Sequence, residues 1–212
     1  MFWIALAAQL SVPVINDKRT PDVRSVFSAD DFPIYLASAG VSRTVYTRTT
    51  VRPDGLIQNC VAESTSGDAK LDAYTCAIIV KRAKFLPAKW IDGSPAYGVI
   101  RVPVSWRIGN APPAEGEMQS VPDLELSVNR LPKGAHKIAP VSLDVGADES
   151  GHVVSCVGHP PAAHNLGPRF PELVPIACEQ VTKTLSVQPA FDSSGKPLRS
   201  VQTASVHFIL DH

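Results

Sequence analysis

The chain has 212 residues, of which 44% are hydrophobic, and its 20 Lys and Arg residues balance 20 Asp and Glu residues. This hydrophobic content is typical of a folded globular protein and excludes an intrinsically disordered chain. The formal net charge of zero gives no chain-wide reason to expect nucleic acid or an anionic membrane surface as the partner.

Residues 1–14 form a mostly apolar run that ends at the polar segment 16–19. The run is too short to span a bilayer, which takes about 20 apolar residues. Ala5-Leu6-Ala7 matches the small-x-small pattern of signal-peptide cleavage sites. We therefore expect residues 1–15 to be a signal peptide or a truncated hydrophobic N-terminus. The alternative is a buried first strand.

Strand and helix signals alternate along the first half of the chain. Ser28-Ala29-Asp30-Asp31 supplies helix-capping residues and predicts a short helix that ends near Gly40. Asp54-Gly55 predicts a hairpin between two strands rich in Val, Thr and Tyr. A longer helix follows, in which apolar residues recur at helical spacing, and Pro87 ends it. The predicted strands cover residues 42–51, 56–63 and 97–108.

The same order of signals recurs in the second half. The segments that begin at Cys76 and Cys178 share Pro-Ala, Gly and Pro at equal spacings, so each partner lies 102 positions further on. A glycine and a cysteine upstream recur at an offset of 96, as Gly55 and Cys60 and then as Gly151 and Cys156. A fixed period of this kind indicates related units in tandem.

We therefore predict an α+β protein with two tandem domains, each a small antiparallel three-stranded sheet packed on one main helix. The predicted first domain covers residues 28–109, and the second, degenerate domain covers residues 123–212. A stretch without periodicity, residues 110–122, is the predicted linker. Domains of this size bury a limited share of their surface, so cross-links would stabilise them.

Four cysteines permit three disulfide pairings. Each repeat places one cysteine on the second strand and one on the helix, which favours the bonds Cys60–Cys76 and Cys156–Cys178. Each bond would contribute about 3 kcal/mol under the chain-entropy estimate. The alternatives are four free thiols or a metal site, although four-cysteine zinc sites usually draw on CxxC pairs, which this chain lacks. Disulfides place a protein outside the cytosol.

Several motifs of the first repeat fall in a familiar order. They are Pro53-Asp54-Gly55, Cys60, Ser64-Thr65-Ser66-Gly67, Leu71-Asp72, Cys76, Arg82-Ala83-Lys84-Phe85-Leu86-Pro87-Ala88, Gly93-Ser94-Pro95 and Val102-Pro103-Val104-Ser105-Trp106. In this order residues 45–108 resemble the TonB C-terminal domain, in its cysteine-bearing form. The second repeat keeps Gly151, its two cysteines, Pro189-Ala190 and Gly195-Lys196-Pro197, but it lacks the Ser-x-Ser-Gly and Leu-Asp elements.

The resemblance implies a periplasmic protein, exported or associated with the inner membrane, that takes part in TonB-dependent transport. Its implied partners are peptides of TonB-dependent outer-membrane receptors, bound by adding a strand to the sheet. ExbB and ExbD type inner-membrane proteins are implied as further partners if an anchor is present. A force-transducing TonB has a membrane helix and a proline-rich spacer before this domain, and this sequence shows neither. The alternative function is a soluble periplasmic scaffold or decoy that binds protein edges without transmitting force.

The third strand of each repeat is the edge at which the resemblance implies partner binding. The candidate residues are Val99, Arg101, Val102 and Val104 in the first repeat and Val201, Thr203, Ser205 and His207 in the second. Pro103 suits an edge strand, but it also removes one backbone donor that a partner would use. We therefore hypothesise that residues 201–210 offer the more continuous edge.

Catalytic and metal-binding patterns are absent from the sequence. The histidines lack metal-ligand spacing, and His159 and His164 are expected in one solvated loop. Neither a Gly-x-Ser-x-Gly nucleophile motif nor a phosphate-binding Gly-rich loop occurs. We therefore expect no enzyme, cofactor, metal, small-molecule substrate or nucleic acid. Trp90, Trp106 and Phe191 are expected in the core or at a domain interface.

Overall fold

The computed structural model describes residues 10–12, 14–15, 26–64, 66–108, 122–159 and 170–211. Its helices are α1 (Ile34–Ala39), α2 (Ala69–Arg82) and α3 (Val174–Thr184), with 3-10 turns at Ala29–Asp31 and Pro171–Leu173. Its strands are β1 (Val14–Ile15), β2 (Arg43–Val51), β3 (Ile57–Ser64), β4 (Phe85–Leu86), β5 (Ala88–Lys89), β6 (Pro95–Trp106), β7 (Leu124–Val128), β8 (Ile138–Ala147), β9 (Val153–Gly158), β10 (Ala190–Phe191), β11 (Pro197–Leu198) and β12 (Ser200–Leu210).

One mixed sheet of eight strands contains all the long strands. Its main order is β3-β2-β6-β12-β8-β9, with β5 paired to β6 and β7 paired to β12. Neighbouring strands are antiparallel, except that β12 runs parallel to both β6 and β7. The strands β2, β3 and β6 lie close to the predicted ranges 42–51, 56–63 and 97–108, and α1 ends beside Gly40 as expected. The prediction that Pro87 ends the longer helix is wrong, since α2 ends at Arg82 and the chain is already extended at Ala83.

The prediction of two separate domains, each with its own three-stranded sheet, is wrong. Each repeat does supply three antiparallel strands, but the third strands of the two repeats pair with each other, residues 97–99 with 200–202. This pairing satisfies backbone groups that two separate sheets would leave on exposed edges. The fold is a single-sheet α+β fold. The boundaries 28–109 and 123–212 stay a prediction, and most of the predicted linker lies outside the described residues.

Helices α2 and α3 cover opposite faces of the sheet. Paired residues on adjacent strands share a face, and the register places Val51, Gly98 and Val201 side by side on the face that α2 covers. On β12 the even-numbered residues Ala204, Val206 and Phe208 belong to the core that contains α3. They point to the face opposite that of Val201. The repeats are thus related by a rotation about an axis parallel to their third strands. Each repeat leaves one face of its strands for the other to cover.

The N-terminal segment covers part of the face that α3 leaves open. Leu10 and Val12 are buried in a cluster with Ala88, Ala96 and Val201. The backbone of β1 pairs antiparallel with β4. Residues 1–9, with the expected cleavage pattern, lie outside the described residues, and the signal-peptide expectation stays a prediction.

A buried arginine connects the second repeat to the sheet of the first. Arg48 of β2 is 6% exposed. Its Nη2 donates to the carbonyl oxygens of Gln188, at 2.6 Å, and Pro189, at 3.3 Å. The amide of Gln202 donates to the same Gln188 oxygen at 2.9 Å. The segment after α3 is therefore fixed over the open face of the first repeat.

Disulfides join each helix to the outermost strand of its own repeat. Cys60 of β3 bonds to Cys76 of α2, and Cys156 of β9 bonds to Cys178 of α3, with a Cα–Cα distance of 5.5 Å in both. This is the pairing that the repeat favours. The two bonds indicate an oxidising environment. Among the described residues, no helix is long and apolar enough to cross a membrane.

Two equivalent glycines explain part of the sequence repeat. Gly55 and Gly151 adopt φ values of 82° and 89°, which side chains disfavour. A Cβ atom at Gly55 would overlap the backbone carbonyl of Phe85, and one at Gly151 would overlap that of Val187. Each hairpin therefore needs glycine, because the chain that follows the helix passes directly against the turn.

Candidate functional site

A cavity of about 710 Å³ lies along the second half of β6. Six consecutive residues, 102–107, border it together with Phe27, Ser28, Ala29 and Phe32. Successive side chains of a strand point to opposite faces of the sheet. Six residues in a row therefore border one cavity only where that cavity follows the edge of the strand. The opening faces the backbone of β6.

Within the described part of the chain, the edge of β6 that borders the cavity has no neighbouring strand. The other edge of β6 pairs with β2 from residue 98 to residue 106. On the cavity side β6 pairs with β12 only at residues 97–99, because β12 continues beside β7 from Val206 onward. The peptide groups of residues 100–106 on this side thus meet no strand among the described residues, and Pro103 has no N–H to offer.

Trp106 is the centre of the apolar wall beside this edge. Its ring lies 5.3 Å from Phe27 in an edge-to-face arrangement, 6.2 Å from Phe32 and 5.9 Å from Tyr74, measured between ring centroids. The indole Nε1 donates to the buried Thr75 Oγ1 at 3.0 Å. Packing and this hydrogen bond fix the indole, so the wall is preformed.

An ion pair positions the aromatic segment that forms the wall. Asp31 is 6% exposed and accepts from Arg82 at the end of α2, with Oδ2 2.6 Å from Nη1 and Oδ1 2.8 Å from Nη2. The N–H and the hydroxyl of Ser28 also donate to Oδ2, at 2.8 and 2.9 Å. The bonds from Arg82, followed by that from the Ser28 N–H, hold the pKa of Asp31 well below its usual range.

Arg101 precedes the cavity-lining residues of β6 and contacts two carboxylates. Its Nε lies 3.0 Å from Glu63 Oε1, and its Nη1 lies 2.9 Å from Asp123 Oδ1. Asp123 Oδ2 in turn accepts the N–H of Ser205 at 2.8 Å. These contacts occupy the point at which β12 separates from β6. An added strand would therefore lie beyond Arg101, along residues 102–106.

The candidate residues of the first repeat differ in position along this edge. Val102 and Val104 border the cavity. Val99 is buried and paired with Gln202 of β12, so its edge is covered. Arg101 is engaged by Glu63 and Asp123. Only the second half of the predicted edge therefore coincides with the cavity.

The candidate residues of the second repeat, Val201, Thr203, Ser205 and His207, lie on β12 in the middle of the sheet. β8 pairs with β12 from residue 200 to residue 209, and β6 and β7 occupy the other side. The hypothesis that residues 201–210 offer the more continuous edge therefore does not hold. β7, which lies outside the predicted strands, covers that edge from Val206 onward.

The aromatic wall is not among the site residues predicted from the sequence. A local signal for it is present in the sequence. Ser28 and Asp31 form a capping box, and Phe27 and Phe32 flank it at the positions of a hydrophobic staple. Arg82, which belongs to the Arg82–Ala88 motif of the first repeat, pairs with Asp31 of this segment.

No group of three or more His, Cys, Asp or Glu side chains is placed to hold a metal ion within the described residues. The Nδ1 of His159 contacts Asp144, and that of His152 contacts Ser150. The rest of the predicted histidine loop, with His164, lies outside the described residues.

Comparison with known proteins identifies no relative: neither a protein-family model, nor a curated protein, nor a solved structure matches this chain. The similarity to TonB C-terminal domains thus depends on the motifs of the first repeat and stays a prediction.

Proposed function

We propose that this protein binds an extended segment of another protein by adding it as a strand to the edge of β6. The observation that supports this function is the cavity bordered by six consecutive residues, 102–107, beside an edge of β6 that has no strand partner over residues 102–106 in the described chain. A preformed sheet edge offers hydrogen bonds at a fixed spacing, which an extended backbone matches. The proposed site needs no cofactor, metal or catalytic group.

The chemistry of the wall favours apolar side chains on one face of the bound segment. Phe27, Phe32 and Trp106 lie on the α2 side of the edge, so alternate residues of an added strand would contact them. On the other side the edge presents Pro103 and Ser105, and the Ser105 hydroxyl bonds to Thr44 at 2.9 Å. The segment that fits best has apolar residues at every second position.

The partner class and the compartment follow from the motif resemblance. We propose a periplasmic protein whose partners are peptides of TonB-dependent outer-membrane receptors, with energy transduction as the family-level role. The two disulfides support an oxidising compartment. A soluble scaffold or decoy that binds protein edges without transmitting force would use the same edge. The two functions differ in whether the protein couples to an inner-membrane complex of the ExbB and ExbD type.

An amide-resolved NMR titration of the oxidised protein with TonB-box peptides tests the binding proposal. We expect shifts and new amide protection at residues 102–107, with aromatic shifts of Phe27, Phe32 and Trp106. Phe27→Ala should weaken binding about tenfold, as loss of a buried aromatic contact does. Phe191→Ala, at a half-exposed phenylalanine of the second repeat, is the matched control. No shifts at high peptide excess, or shifts confined to β3 or β9, would contradict the site.

A further inference from the structure

Asp144 of β8 is a fully buried carboxylate that has one ionisable partner in the described part of the chain. Its side chain is 0% exposed, and its Oδ1 lies 2.6 Å from Nδ1 of His159, whose side chain is 34% exposed. The other carboxylate oxygen, Oδ2, is buried without a hydrogen-bond partner in the described part of the chain. A buried carboxylate is costly unless it is paired and hydrogen-bonded. The hydrogen bond from His159 therefore offsets the cost of burying the Asp144 carboxylate, and the His159 side chain is itself accessible to water.

His159 also makes the last backbone contact between β8 and β9. β9 ends at Gly158, and the N–H of His159 donates to the carbonyl oxygen of Ser142 at 3.0 Å. β9 is the end strand of the sheet, so no further strand pairs with its outer edge within the described chain. The contact between the Asp144 and His159 side chains thus fastens the end of a terminal strand.

No other charge in the described chain forms an ion pair with either residue. β9 places the uncharged Ser155 and Val157 on this face, and β12 places Thr203 opposite Asp144. The other ionisable residues on the segments that flank this face are Lys89, Asp123, Glu125, Arg199 and His207, and the register pairs Glu125 with His207. Asp123 bonds to Arg101, and Arg199 stacks on Trp90 at 4.4 Å. Among the described residues, His159 is therefore the titratable group whose protonation changes the charge next to Asp144.

We propose that Asp144 and His159 form a pH-dependent ion pair. The pair holds the end of β9 against β8 in mildly acidic solution and weakens as the imidazole loses its proton. Its action is separate from strand addition at β6, since β12 lies between β6 and the β8–β9 pair. The bond from Asp144, the main cause, raises the pKa of His159 above its ordinary value and outweighs the opposing effect of burial. The stabilisation is thus fully present below the ordinary histidine pKa and is lost as the pH rises through the folded-state value.

Hydrogen exchange of the His159 amide between pH 5 and pH 8 tests this proposal, expressed as a protection factor to remove the intrinsic pH dependence. We expect the protection factor to fall about fivefold across this range in the wild type, the size of a charge-assisted bond that becomes neutral. His159→Gln should abolish the change. His152→Gln is the matched control, because His152 lies in the same hairpin beside Ser150 and is far more exposed.

Two results would overturn the proposal. One is an amide protection factor at His159 that does not change with pH in the wild type. The other is a change that persists in His159→Gln. Asp144→Asn provides a second test, since it keeps a hydrogen-bonding side chain and should lower the His159 pKa seen by NMR. If Asp144→Asn fails to fold, the wild type and His159→Gln still decide the outcome. Peptide binding at β6 should be equal in all folded variants.

Discussion

Arg82 and Asp31 determine the position of the cavity wall. Arg82 lies in the last turn of α2, where the helix dipole favours a positive charge. Asp31 lies in the 3-10 turn between Phe27 and Phe32 and receives two hydrogen bonds from that guanidinium. The ion pair therefore connects the helix of the first repeat to the aromatic residues that line β6.

Arg82→Gln should change the pH dependence of stability. The pKa of Asp31 is held below its usual 3.8, first by the Arg82 bond. The ionised carboxylate therefore stabilises the fold above pH 3.8, and this contribution is lost as the pH falls through the folded-state pKa. We expect the difference in free energy of unfolding between wild type and variant to be constant above about pH 5 and to shrink below about pH 4.

Urea unfolding from pH 2 to pH 7 measures this difference. Arg52→Gln is the control, because Arg52 pairs with Asp54 at 2.7 Å in an exposed turn, where ion pairs contribute little. A stability difference for Arg82→Gln that is the same at every pH would show that the Asp31 contact is not its cause.

Equivalent positions of the two repeats hold opposite buried charges. Arg48 and Asp144 lie 96 positions apart, the offset of the repeated glycine and cysteine, and both are buried. The carbonyl oxygens of Gln188 and Pro189 compensate Arg48, whereas His159 compensates Asp144. Periodicity shows which face a residue occupies but not its partner, so neither arrangement was predictable from the sequence.

The strand β7 decides which third strand keeps a free edge. It pairs with β12 over residues 206–210 and leaves the corresponding part of β6 without a strand partner in the described chain. The sequence signal for β7 is weak, since it is only five residues long and lies beside the predicted linker. The choice between β6 and β12 was therefore not available from local patterns, although Pro103 of β6 agrees with an edge position.

The two disulfides should stabilise the fold to a similar extent. They close loops with sequence separations of 16 and 22. The chain-entropy estimate gives each about 3 kcal/mol and a difference between them of only about 0.3 kcal/mol. We expect Cys60→Ser/Cys76→Ser and Cys156→Ser/Cys178→Ser to lower the free energy of unfolding by nearly equal amounts in urea titrations.

A loss from one bond several times larger than from the other would contradict this expectation. It would mean that the stability of one repeat does not depend on its cross-link. The same titrations test whether the two repeats unfold together. If the shared sheet makes them one cooperative unit, removal of either disulfide should shift a single unfolding transition to lower urea concentration.

At the scale of the whole molecule, the repeat predicts the elements but not their assembly. The hairpins at Gly55 and Gly151, the helices and the disulfide partners all follow from local signals and equal spacings. The pairing of β6 with β12 and the opposite placement of α2 and α3 do not. They depend on which strand edges form hydrogen bonds with each other and which apolar faces pack together. Short-range periodicity does not show this, because it is the same for a free strand and a paired one.

The interlocking of the repeats explains why the site occurs once among the described residues, although the chain is internally repeated. Each repeat covers the open face of the other, through Leu10, Val12 and Ala88 on one side and through the carbonyls of Gln188 and Pro189 on the other. The third strands then separate beyond residues 99 and 202, and β7 fills the space beside β12. The two repeats are no longer equivalent at this point, because β12 is paired with β7 while the corresponding edge of β6 has no strand partner among the described residues.

Strand addition at β6 is tested most directly by the affinities of two N-methylated versions of one TonB-box peptide, measured by calorimetry. In one version the alternate amides of one edge are methylated, and in the other the amides of the opposite edge. A strand added to β6 bonds through one edge, so we predict that one version loses about tenfold or more in affinity while the other binds nearly as well as the parent peptide. Equal affinities for both versions would contradict strand addition.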